Sequence, residues 1–167
     1  MKKILLALTL LISVAYFIGC EKDDICAATT ATTPALVIEF FDAENPETPK
    51  NVTNLALREV GVSTGIGFNG VSKIKLPLNS GSNQVKYFFY QNYNSADGTF
   101  ENEDQLEINY TRKNEFISRA CGFKTLFYLN ETNGIHLITD DNNWLKSTLL
   151  ITPNILNENE THLKIYH

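Results

Sequence analysis

The sequence predicts an all-β protein, an antiparallel β-sandwich of about 8–9 strands with Ig-like or Greek-key connections. Three observations indicate this fold class. Apolar and polar residues alternate with a period of two in most segments after residue 35. Clusters of Asn, Asp, Gly and Pro separate these segments at the short spacing that is typical of sandwiches. No segment after residue 35 has the periodicity of an amphipathic helix.

The first strand is predicted at residues 36–41, where Leu36, Ile38 and Phe40 share one face. Pro77 cannot donate to a strand ladder, so the strand that contains it is expected to end there or to lie at a sheet edge. The further strands are predicted at residues 52–60, 73–78, 85–91, 105–112, 115–129 (bent or bulged at Gly122), 135–139, 144–152 and 161–166.

Three connections between these strands follow from turn-forming residues. The segment 61–70 contains four glycines and is predicted to be a loop. Lys113 and Asn114 are predicted to form a turn. The segment 130–134 ends in Asn-Gly and is predicted to be a hairpin turn.

The N-terminus has the pattern of a secretory signal peptide. Lys2 and Lys3 precede a mostly apolar run that ends at Gly19, and Cys20 follows it. A transmembrane helix is the alternative, but sixteen residues would extend only about 24 Å, less than the roughly 30 Å hydrocarbon core. The other alternative is an ordinary secreted protein in which Cys20 is a plain thiol.

The residues Phe17-Ile18-Gly19-Cys20 resemble the lipobox of bacterial lipoproteins, although Phe17 stands where Leu is common. The resemblance implies that residues 1–19 are removed and that Cys20 is lipidated. It also makes residues 20–34 a tether and residues 35–167 a single sandwich domain. Acyl chains on Cys20 would bind the membrane stably, since two chains are enough for that.

The residues Glu21, Lys22, Asp23 and Asp24 resemble the export signal of lipoproteins in Bacteroidota. The resemblance implies an outer-membrane protein that faces the cell exterior, and the periplasmic face is the alternative. Several landmarks in order also resemble uncharacterised Bacteroidota lipoproteins that are classed as a domain of unknown function. These landmarks are Asp23-Asp24-Ile25-Cys26, Thr32-Thr33-Pro34, Ala120-Cys121-Gly122-Phe123 and Leu163-Lys164-Ile165-Tyr166.

Composition excludes one class of partner. Removal of the 19 leader residues leaves 148 residues, enough for one domain with a core. Of the 14 basic residues 12 then remain, against 19 acidic ones, so the net charge is about −7. Nucleic-acid binding is not expected, because it requires Lys and Arg to neutralise phosphates. Attachment to a membrane is expected to depend on the lipid at Cys20.

Cysteine count predicts one disulfide. If Cys20 is lipidated, only Cys26 and Cys121 remain, and an exported protein lies where disulfides persist. The alternative is a pair of free buried thiols. A cysteine nucleophile is not expected, because no histidine lies near either residue in the sequence.

No cofactor, metal site or enzymatic activity is predicted. His136, His162 and His167 lack zinc-ligand spacing, and His136 is expected to face solvent. An irregular calcium loop at Asp97, Glu101, Glu103 and Asp104, or at residues 140–143, is weighed against a solvated turn, which is favoured.

The expected role is non-enzymatic binding or a structural function at the cell envelope. The alternative is a glycan- or nutrient-binding module that stacks sugars on exposed aromatic rings. Packing of most aromatic rings in the core is favoured over such a platform. The aromatic residues concerned are Tyr87, Phe88, Phe89, Tyr90, Tyr93, Phe100, Tyr110, Phe127, Tyr128 and Trp144.

Overall fold

A computed structural model describes residues 25–167. The proposed leader, Cys20 and the acidic residues after it lie outside the described residues. The described chain divides into two compact units. One consists of residues 25–30 and Phe116–Phe123, and the other consists of Ala31–Glu115 and Lys124–His167. Among residues 25–167, no helix has the length and hydropathy of a membrane span.

The described residues form eleven strands and no helix, which confirms the predicted fold class. The strands are β1 (Leu36–Phe41), β2 (Leu55–Glu59), β3 (Ile66–Phe68), β4 (Lys73–Leu76), β5 (Gln84–Gln91), β6 (Asn102–Ser118), β7 (Gly122–Leu129), β8 (Ile135–Ile138), β9 (Ser147–Leu150), β10 (Asn154–Ile155) and β11 (Leu163–Tyr166).

The strands form two sheets. One has four strands in the order β4-β1-β11-β9, and the other has seven, in the order β10-β7-β6-β5-β2-β3 with β8 also paired to β6. Strand β4 lies at an edge and ends before Pro77, as that proline predicts. One hydrophobic core takes side chains from both sheets, among them Phe40 of β1, Phe89 of β5 and Phe127 of β7, all fully buried.

Strand β6 corrects the predicted turn at Lys113 and Asn114, because it runs through both residues. Pairing across the sheet explains the difference. Thr125 Oγ1 donates a hydrogen bond to Asn114 Oδ1 at 3.0 Å, and Lys124 forms an ion pair with Glu115 at 3.2 Å. These cross-strand contacts favour the extended conformation over the local turn preference of Lys-Asn.

Three further details differ from the sequence prediction. Strands β1 and β11 pair in parallel, with Phe40 opposite Ile165, because β11 enters the sheet beside β1 after a long excursion of the chain. The segment 130–134 is not a hairpin turn, since β7 and β8 both lie beside β6. The short strands β3 and β10 lie in segments that were not predicted as separate strands.

Candidate functional site

The strongest candidate site lies on the outer face of the seven-stranded sheet, on strands β2, β3 and β5. Alternation places Leu57 of β2 and Phe89 of β5 in the core. Their neighbours Arg58, Phe88 and Tyr90 therefore lie on the opposite face of the sheet.

The loop at residues 92–101 brings more aromatic rings to this face. Its ends are held by two backbone hydrogen bonds, from Tyr93 N–H to the Asn54 carbonyl at 2.8 Å and from Glu101 N–H to the Gln91 carbonyl at 2.9 Å. The Phe100 ring centroid lies 4.8 Å from that of Tyr90, and the Tyr93 centroid lies 6.0 Å from it. Tyr90 is only 4% exposed although it faces away from the core, whereas Phe100 is 46% exposed.

These residues line a cavity of about 420 Å³, which we call the aromatic groove and define by Arg58, Ile66, Tyr90, Tyr93 and Phe100. The volume lies within the usual range of small-ligand sites, roughly 300–1,000 Å³. Two hydroxyl groups, of Ser63 and Ser95, also line it.

Close packing of the segment before β3 shapes one wall of the groove. A Cβ atom on Gly65 would lie 2.8 Å from the carbonyl oxygen of Leu57, so a side chain there would push the segment away from β2. The glycine that the sequence presents as a loop residue therefore permits β3 to pair with β2.

Charge lies at the side of the groove. The Arg58 guanidinium lies 5.5 Å from the ring centroids of Phe88 and Tyr90, and Arg58 Nη2 donates a hydrogen bond to Tyr90 Oη. Burial raises the pKa of the Tyr90 phenol above its ordinary value, and a hydrogen bond with the Glu103 carboxylate raises it further, while Arg58 opposes both. The phenol is therefore neutral at physiological pH and can both donate and accept.

The residues that line the groove suggest what kind of ligand it could bind. Every lining residue belongs to the described chain, and none is Cys, His, Asp or Glu. It combines apolar ring surface with one cation and several hydroxyl groups, which suits a neutral polar molecule with an apolar face.

A family model matches residues 59–167, and it describes a family of unknown function (DUF6452). The chain belongs to this family. The DUF6452 match includes Tyr90, Tyr93 and Phe100 of the groove, whereas Arg58 lies just before it. No curated protein and no solved structure matches the chain.

The disulfide predicted from the cysteine count is present between Cys26 and Cys121, with the two Cα atoms 4.9 Å apart. Cys121 N–H also donates to Ser118 Oγ at 3.0 Å, within the turn that joins β6 to β7. Of these two residues, only Cys121 lies in the DUF6452 match. The other predicted site residues, Cys20 and Glu21 to Asp24, lie outside the described chain.

The three histidines are separate. His136 is exposed, as predicted. His162 is fully buried, its Nδ1 accepts a hydrogen bond from Val37 N–H at 2.9 Å, and burial lowers its pKa. His167 packs edge-on against Phe40 and Trp144. Within residues 25–167, no three His, Cys, Asp or Glu side chains are grouped as a metal site would require.

Two of the acidic residues weighed as calcium ligands, Asp97 and Asp104, accept hydrogen bonds from backbone N–H groups. Asp97 Oδ1 accepts hydrogen bonds from the N–H and the hydroxyl group of Thr99, and the N–H bond is the main reason that the pKa of Asp97 is lowered. Asp104 is buried, and its Oδ2 accepts from Leu145 N–H at 2.6 Å. Burial raises the pKa of Asp104.

Of the ten aromatic residues weighed in the sequence, five belong to the core, and the sequence did not predict the groove as a unit. Tyr87, Phe89, Tyr110, Phe127 and Trp144 belong to the core, as favoured. The sequence signal that could have indicated the groove was the alternation in β5. It places Phe88 and Tyr90 away from the core, and two more aromatic residues, Tyr93 and Phe100, follow them. Arg58 and Ile66 gave no such signal, because only tertiary structure brings them to these rings.

Proposed function

We propose that this member of DUF6452 is a non-enzymatic binding protein, anchored through lipid on Cys20 to the outer membrane of a bacterium of the Bacteroidota and facing the cell exterior. The observation that carries the proposal is the leader that ends in Gly19-Cys20, followed at once by Glu21, Lys22, Asp23 and Asp24. The Cys26–Cys121 bridge supports it, since disulfides persist outside the cytosol.

Metabolic labelling with an alkyne-tagged fatty acid tests the anchor. The full-length protein should incorporate the label, and Cys20→Ala should not. Cys26→Ala is the matched control, because it removes a cysteine six positions away and should leave labelling intact. Label on Cys20→Ala, or none on the wild type, would contradict the anchor. Protease treatment of intact cells tests the face: digestion supports the exterior, and protection supports the periplasmic alternative.

The aromatic groove favours a second, more specific function, the binding of a saccharide. Sugar rings have one apolar face that can stack on aromatic rings, and Phe100 and Tyr93 lie at the groove with rings that are not fully buried. The guanidinium of Arg58 and the hydroxyl groups of Ser63 and Ser95 could bond to sugar hydroxyl groups. A neutral ligand also suits a protein of acidic net charge.

A glycan array with the full-length protein in detergent tests this function. We expect a restricted set of oligosaccharides to bind, and we expect Tyr93→Ala and Phe100→Ala to weaken binding by about tenfold, the loss of a stacking contact of roughly 1–1.5 kcal/mol. Phe116→Ala is the matched control, since Phe116 is an exposed aromatic residue outside the groove. An array without hits, or equal losses in all three variants, would contradict the saccharide.

A further inference from the structure

The smaller unit carries two phenylalanine rings in contact, Phe116 and Phe123, and an exposed Ile25. We call these three apolar residues the aromatic tip. Phe116 lies near the end of β6 and Phe123 near the start of β7, with ring centroids 5.2 Å apart. Phe116 is 57% exposed, Phe123 is 66% exposed and Ile25 is 84% exposed. A paired, exposed set of large apolar side chains indicates a surface that meets another apolar phase.

The described residues of this unit differ in charge from the chain as a whole. Residues 25–30 and Phe116–Phe123 contain a single charged side chain, Arg119, and no acidic residue. The whole chain has a net charge of −5. A negatively charged lipid surface would repel the acidic chain as a whole. Residues 25–30 and 116–123 add no negative charge of their own to the acidic pair Asp23-Asp24 that precedes them, and Arg119 can approach lipid phosphates.

The disulfide brings this surface close to the anchoring residue. Cys121 is about a hundred residues after Cys20, but its Cα lies 4.9 Å from that of Cys26. Six residue steps separate Cys26 from Cys20 and can extend at most about 22 Å. A lipid on Cys20 would therefore hold Phe123, two residues beyond Cys121, within reach of the bilayer surface.

We propose that the aromatic tip docks on the lipid bilayer to which Cys20 is anchored, with Phe116, Phe123 and Ile25 in the interfacial layer. Phenylalanine and other large apolar side chains of surface-bound segments bury about 5–10 Å into the boundary between headgroups and acyl chains, where they leave water without crossing the hydrocarbon core. The docking rests on the proposed lipidation of Cys20. The docked tip would be a second contact with the membrane, beside the lipid on Cys20.

Tryptophan fluorescence on vesicles tests the docking. The lipidated Phe123→Trp protein is reconstituted in phosphatidylethanolamine–phosphatidylglycerol vesicles whose acyl chains are brominated or not. We expect bromine to reduce the emission of the new tryptophan by about twofold, since an interfacial indole lies near the acyl chains. Leu149→Trp is the matched control, an exposed position on β9, and its emission should not change. The buried Trp144 contributes the same background to both.

Flotation of the same samples distinguishes the docking of the tip from the lipid anchor on Cys20. Protein that floats with the vesicles and shows quenching specific to Phe123→Trp supports the docking. Protein that floats without that quenching overturns the docking and leaves the anchor in place. Protein that does not float overturns the anchor, and the docking with it. Reduction of the disulfide should abolish the quenching while the protein still floats, and unchanged quenching would overturn the role given to the bridge.

Discussion

The two exposed aromatic clusters of this chain differ in what surrounds the rings. In the aromatic groove, Tyr90 is almost fully covered and accepts a hydrogen bond from the Arg58 guanidinium. In the aromatic tip, Phe116 and Phe123 contact each other and stand largely in solvent. Polar groups beside a ring can form hydrogen bonds that distinguish one polar ligand from another. Exposed rings without polar neighbours bind any apolar phase. The surroundings of the rings, rather than their number, therefore indicate the class of partner.

Removal of the disulfide should have the largest effect on stability and should leave the groove intact. The double variant Cys26→Ser and Cys121→Ser should lose on the order of 4 kcal/mol of unfolding free energy, because the bridge closes a loop across a sequence separation of 95 residues. Urea denaturation measures the loss. Saccharide binding by the groove should be retained below the unfolding transition. A loss under about 1 kcal/mol would contradict the stabilising role of the bridge.

Truncation of one ring in each cluster should destabilise the protein by different amounts. Tyr90→Ala should lower the free energy of unfolding by about 3 kcal/mol, because it empties a covered site and removes the hydrogen bond from Arg58. Phe123→Ala should lower it by about 1 kcal/mol or less, the value of one exposed ring contact. Equal losses in urea denaturation would show that the tip is packed as firmly as the groove.

The smallest expected difference between the two clusters is in how stability depends on alkaline pH. The pKa of Tyr90 is raised by burial in the folded chain, so the unfolded chain loses its phenolic proton first. The stabilising contribution is therefore complete below about pH 10 and declines above it. Tyr90→Phe should reduce the slope of stability against pH in this range, whereas Phe123→Ala should leave the slope as in the wild type. Tyr87, whose pKa burial raises to about 12, adds a slope common to all variants.

Local patterns predicted the parts of the fold that depend on neighbours in sequence. Alternation gave β1 with its observed bounds, Leu36–Phe41, and Pro77 gave the sheet edge at β4. The cysteine count gave the bridge. The parallel pairing of β1 with β11 has no local signal, because it depends on how the whole intervening chain returns.

The difference between local and long-range contacts also explains why the sequence did not predict the two aromatic clusters. The aromatic groove joins three separate segments, around Arg58, Gly65 and Phe100, and no periodicity relates them. The aromatic tip depends on the extension of β6 past Lys113 and Asn114, where the local sequence indicates a turn. Cross-strand pairing overrode that preference, so that Phe116 continues β6 beside β7 instead of starting a new strand after a turn.

Hydrogen–deuterium exchange tests most directly whether the two clusters meet different partners. The lipidated protein on vesicles is compared with the mature Cys20→Ala protein in solution. We predict that the membrane slows exchange at residues 116–123 and leaves residues 92–101 unchanged. Slowed exchange at residues 92–101, or no change at residues 116–123 in protein that remains on the vesicles, would contradict the assignment of the tip to the membrane and the groove to a ligand.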